Sequence, residues 1–193
     1  MKTLTLRQQI NRVTKWYNIA TQQEINAGLV WYNDAQQLCI ELATKYQVTT
    51  TQIAQVISVL SPQKKWETNK LETIAFCNEF FNGVKPSFNY FATKKSIEEC
   101  KQILKGDFLI PSKRTKTFSF ADNIAHTNSK EITIDRHALR IAYDDKSAKI
   151  DKVTPKQYKI AREAYQIVAD SLGITGYQLQ AITWVTYKRV VNR

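Results

Sequence analysis

Ile132-Thr133-Ile134-Asp135-Arg136-His137-Ala138-Leu139-Arg140 decides between a mixed and an all-helical reading of this chain. The β-branched run at its head passes for a strand. It is three residues long and has no partner run elsewhere, so it reads as an extended approach to a helix. Asp135 then stands where that helix begins. Asp is a preferred N-cap, and the positive end of a helix dipole stabilises an anion. Arg136 and Arg140 follow one turn apart. A carboxylate set among cations in a chain of formal net charge +11 has two readings. It is a working group on a nucleic-acid surface, or it is a cap that satisfies backbone N–H groups and does nothing else.

Outward from this stretch the pattern stays helical. Thr-x-x-Glu/Gln capping boxes occur at Thr21/Glu24, Thr49/Gln52, Thr154/Gln157 and Thr175/Gln178. Pro155 falls at a first helical position, and Gly173 follows Leu172 as a C-cap. Ile160, Ala161, Ala164, Ile167, Val168 and Leu172 repeat at helical spacing. Leu179, Ile182, Val185 and Val190 do the same. The spacing predicts helices over residues 4–19, 28–47, 50–60, 65–82, 93–105, 113–127, 135–144, 155–172 and 176–191. With 193 residues, 43% hydrophobic, five glycines and four prolines, the chain reads as one all-α domain. The loop at 82–91, with Gly83 and Pro86, is the candidate boundary between two lobes.

Lys and Arg number 28 against 17 Asp and Glu, which favours a polyanionic partner, DNA or RNA. Cys39, Cys77 and Cys100 are an odd set with no CxxC and no neighbouring histidine. That spacing fits neither a zinc knuckle nor a four-cysteine iron–sulfur cluster, so buried free thiols and no metal or cofactor are expected. The N-terminus lacks the apolar core of a signal peptide, and the run Val56–Leu60 is too short to span a bilayer. A monomer in the cytoplasm is the expectation, with no membrane partner.

Basic residues cluster at Lys113, Arg114 and Lys116, and again at Lys64 and Lys65. Helix N-termini offer backbone N–H groups to phosphates, and the side chains add charge. Lysines on a solvated helix face are the plain alternative.

Three segments, in order, resemble the helix-hairpin-helix DNA glycosylase superfamily, the fold of endonuclease III and adenine glycosylase. Val59-Leu60-Ser61-Pro62-Gln63 is similar to the family's apolar helix ending in a Leu-Ser-x-Gln turn. Ile110-Pro111-Ser112-Lys113-Arg114-Thr115-Lys116-Thr117 lies where the family has its hairpin and lyase lysine. Ile134-Asp135-Arg136-His137-Ala138-Leu139-Arg140 resembles Val-Asp-x-His-x-x-Arg, which carries the catalytic aspartate. The likeness covers residues 50–145. The hairpin departs from the family pattern Leu-Pro-Gly-x-Gly. Ser112 and Arg114 replace its glycines, and no glycine lies between Gly106 and Gly173. Phosphate contact must then come from side chains, because backbone cannot approach as closely. If the chain is phage-encoded, its place is the host cytoplasm. The segment Leu179 to Val185 is similar to the end of small phage-encoded proteins that carry no established activity.

The resemblance implies a two-lobed helical bundle that excises or processes a flipped base. Asp135 would stabilise the oxocarbenium-like sugar. Lys116, if partly buried beside Lys113 and Arg114, would attack the sugar carbon as an amine; otherwise it binds phosphate. Gln63 would be the wedge that replaces the flipped base, with Trp66 and Tyr143 as its aromatic pocket. Gln63 also reads as a plain turn residue, and Trp66 as core. His137 reads as a packed or capping histidine. Nucleic-acid contacts would come from Gln63, Lys64, Lys65, Lys113, Arg114, Arg136 and Arg140. Two other classes remain open: a non-catalytic nucleic-acid-binding phage accessory or virion protein, and a helical adaptor whose charge serves solubility.

Overall fold

Ile53 to Leu60 are buried without a break, and the helix that carries them is the hub of one half of the molecule. The computed structural model describes residues 4–147 and 149–191. Among the described residues it is all-α, with no strand. The helices are α1 (Leu6–Asn18), α2 (Gln22–Tyr46), α3 (Thr50–Leu60), α4 (Trp66–Asn82), α5 (Lys94–Lys105), α6 (Thr115–Ala125), α7 (Arg136–Tyr143), α8 (Pro155–Leu172) and α9 (Gly176–Val191). Residues 130–135 run non-helical into α7, so the β-branched stretch is an approach and not a strand. No described helix is long and apolar enough to cross a membrane.

The chain divides into two compact units, Met1–Asn33 with Asn128–Arg193, and Asp34–Thr127. In the first, α1, α7, α8 and α9 pack on one another around Val13, Trp16, Ile132, Ile134, Leu139, Ile141, Tyr165 and Leu179. In the second, α4, α5 and α6 all pack on α3. The 82–91 loop, the candidate lobe boundary, lies inside the second unit. Gly83 stops α4 in the left-handed conformation (φ 69°). The loop then folds back on that helix: the Tyr90 hydroxyl donates to Glu79 at 2.7 Å, and the Phe91 amide donates to Glu72 at 3.1 Å.

Among the helix starts that differ from the sequence reading, those of α2 and α6 bear on the site. α2 begins at Gln22, not near 28. The Thr21/Glu24 box closes there, with Thr21 N donating to Glu24 at 2.8 Å. Gly28 is therefore inside the helix and does not break it. It serves close packing against α9: a Cβ there would lie 2.4 Å from Ile182 Cγ1 and 2.5 Å from its Cα. Gly28→Ala gains helix propensity but must push two backbones apart. We expect a net loss of about 1–3 kcal/mol, read as a lower thermal midpoint. Unchanged or raised stability would show that the two helices do not approach this closely. α6 begins at Thr115, so Lys113 and Arg114 belong to the preceding turn, closed by Arg114 N donating to Pro111 O at 2.9 Å.

Cys39, Cys77 and Cys100 are buried free thiols. Burial pushes Cys39 and Cys77 up to about 12 and raises Cys100 as well.

Candidate nucleic-acid interface

Most helix starts in this chain are closed by a threonine or aspartate side chain. Thr5, Thr49, Thr93, Asp135 and Thr154 each accept from the first turn of their helix. α4 and α6 are different. Their N-cap residues are Lys65 and Arg114, and neither side chain caps the helix. Both starts are moored to the same end of α3. Asn69, in the first turn of α4, donates to Ile57 O at 3.2 Å, and Ser58 Oγ donates to Thr117 O of α6 at 2.7 Å. Two positive helix ends with cationic residues at their caps thus meet neighbouring residues of one buried helix.

The side chains around them divide into free and engaged cations. Lys65, Lys113 and Lys116 are exposed. Lys116 sits on the first turn of α6 without the partial burial expected of a nucleophilic amine. Arg114 is half-buried and pairs with Glu99 of α5. Lys64 is engaged more fully: its side chain is 1% exposed and pairs with Glu72, itself 5% exposed. Its charge is neutralised inside the second unit and is withdrawn from any surface. Gln63 is exposed in a tight turn with φ 61°, a strained conformation for a residue with a side chain. Trp66 opens α4 half-buried, with the Lys70 ammonium 5.9 Å from its ring centroid.

The first unit holds the aspartate. Asp135 is half-buried at the N-cap of α7, and its Oδ1 accepts from Ala138 N at 2.8 Å. Arg136, next to it, is exposed. Arg140 is 7% exposed; its Nε donates to Ile150 O at 2.7 Å and its Nη2 reaches Asp151 at 3.1 Å. It clamps the chain after α7 from within. Tyr143, an expected pocket wall, is 8% exposed and part of the apolar cluster, with its hydroxyl accepting from Leu4 N at 3.4 Å. Its ring is packed because α7 is short and buried from Ala138 onward. His137 is half-buried, 6.0 Å from the Tyr187 ring centroid. Burial holds it below its ordinary range; Asp135 opposes this, and Arg140, Arg136 and Lys188 add to it.

A cavity of about 510 Å³ lies elsewhere in the first unit, lined among others by Lys130, Arg162, Gln166 and Gly176. It is lined by none of the candidate site residues.

A family of unknown function (DUF7178) matches residues 1–190. The chain belongs to that family. No curated protein and no solved structure matches it.

Two engaged pairs, Lys64 with Glu72 and Arg114 with Glu99, escape sequence reading. Each partner lies on a different element, eight and fifteen residues away. Neither falls at a helical i, i+4 spacing that a sequence pattern would flag.

Proposed function

We propose that this chain is a DNA-acting enzyme of the helix-hairpin-helix glycosylase type, which excises or processes an extruded base. The observation that carries the reading is the half-tied carboxylate of Asp135. One oxygen is fixed by the Ala138 amide, and among the described residues the other takes no hydrogen bond. A carboxylate so oriented stabilises the positive charge that develops on a sugar as its base departs, and it directs water to the sugar carbon. The uncapped starts of α4 and α6, with Lys65, Lys113 and Lys116, would hold the phosphates. Lys116 acts there as a phosphate ligand rather than as an amine nucleophile, since it is exposed. Lys64 and Arg140 drop out of the contact set because their charges are already paired.

The test is release of free base by the full chain from oligonucleotides with uracil, alkylated purines or hypermodified phage pyrimidines. Release from at least one substrate class is expected. If no base is released while DNA is still bound, the enzyme reading falls. A non-catalytic binder then stands, which the side chains of Ser112 and Arg114 in place of hairpin glycines favour.

Phosphate contact has its own expected result. Lys113→Ala with Lys116→Ala should weaken DNA binding and reduce the slope of log affinity against log salt by about 0.9 per lost contact on a duplex. The two side chains are exposed, so the fold should be unaffected. An unchanged slope would place the phosphates elsewhere.

A further inference from the structure

We infer that the segment from Lys85 to Lys95 in the second unit is a contact for single-stranded nucleic acid, in which Phe91 stacks on an unpaired base and lysines hold the backbone.

Phe91 is 62% exposed and Phe88 is 44% exposed, on either side of Tyr90 in sequence. Large aromatic rings are left in water at a cost, and two in one short loop ask for an occupant. The loop that presents them is held firmly. The Phe91 amide donates to a Glu72 oxygen whose carboxylate also pairs with the buried Lys64. The Tyr90 hydroxyl donates to Glu79, and its ring meets Phe76 and Phe88 at 5.8 and 5.9 Å. Thr93 then caps α5, with Ser96 N donating to it at 3.1 Å. A buried ion pair and two hydrogen bonds thus hold the backbone that carries the exposed Phe91 ring. A backbone already ordered loses little entropy on binding.

Charge selects the occupant. No acidic residue lies between Glu79 and Glu98, while Lys85, Lys94 and Lys95 do, all exposed. The two carboxylates that reach the loop, Glu72 and Glu79, are both engaged by it or by Lys64. Exposed aromatic faces interleaved with lysines are the chemistry of single-strand binding: every base offers a face to stack on, and the backbone offers charge. A duplex buries its base faces and cannot use Phe91. The inference does not depend on catalysis at Asp135 and survives if no base is ever released.

Fluorescence anisotropy of labelled oligothymidine with the full chain tests it, beside a hairpin duplex of equal length. Phe91→Ala should lower oligothymidine affinity about tenfold, as for the loss of one stacked base, and leave the duplex nearly unaffected. Phe91→Trp should restore binding, with indole emission quenched on saturation. Lys94→Ala with Lys95→Ala should lower the single-strand salt slope by about 0.7 per contact. Equal losses on both probes, or no loss on oligothymidine, would overturn the proposal. So would Phe91-dependent uptake on phosphatidylserine vesicles, or Phe91-dependent self-association, in the absence of an oligothymidine effect.

Discussion

Asp135→Asn is expected to lower base release by about 10²–10³-fold or more, while thermal midpoint and DNA affinity stay as in the parent. Asn caps helices as well as Asp does, so the amide keeps the hydrogen bond from Ala138 N at 2.8 Å. What the substitution removes is the negative charge opposite the developing cation. The comparison separates two roles that share one residue. A purely capping Asp135 predicts a small stability change and a parent with no activity to lose. Retained release in the Asn variant would move the chemistry to another group.

The largest expected loss of stability comes from Glu72→Ala. It leaves the Lys64 ammonium buried without a counter-charge, and it also orphans the Phe91 amide. Breaking one side of a buried pair typically costs about 3–5 kcal/mol. For a chain of this size that is a fall in thermal midpoint of about 10 °C. Lys64→Met combined with Glu72→Gln removes both charges and keeps an acceptor for the Phe91 amide, so it should recover most of the loss. A penalty below about 1 kcal/mol for Glu72→Ala would mean that water screens the pair in solution.

The helices were legible because local signals set them. Thr49 with Gln52 and Thr154 with Gln157 mark their helix starts, and both boxes close as expected. Gly173 ends α8 with φ 68°. The spacing puts the start of α2 near 28, although the Thr21/Glu24 box marks it at Gln22; Gly28 lies inside the helix, where its missing side chain makes room for Ile182. Asp135 was legible as a cap, since capping is also a local matter. The fate of the cations was not. Lys65 and Lys64 are neighbours in sequence, yet one is exposed and the other buried against Glu72. Arg136 and Arg140 share a helix, yet one meets solvent and the other clamps Ile150 and Asp151. Charge counts say that a chain seeks an anion; only packing says which charges are left to meet it.

The capping boxes of α1, α3, α8 and α9 all close with glutamine: Gln8, Gln52, Gln157 and Gln178. Among the described residues only the α2 box uses a carboxylate, Glu24, which the Arg189 guanidinium holds below its ordinary range. Amide caps do not titrate and are not screened by added ions. Electrolyte concentration is therefore a selective experimental variable for this protein. It should dissolve contacts to a polyanion long before it loosens the helices, so a salt titration reads the interface and not the scaffold.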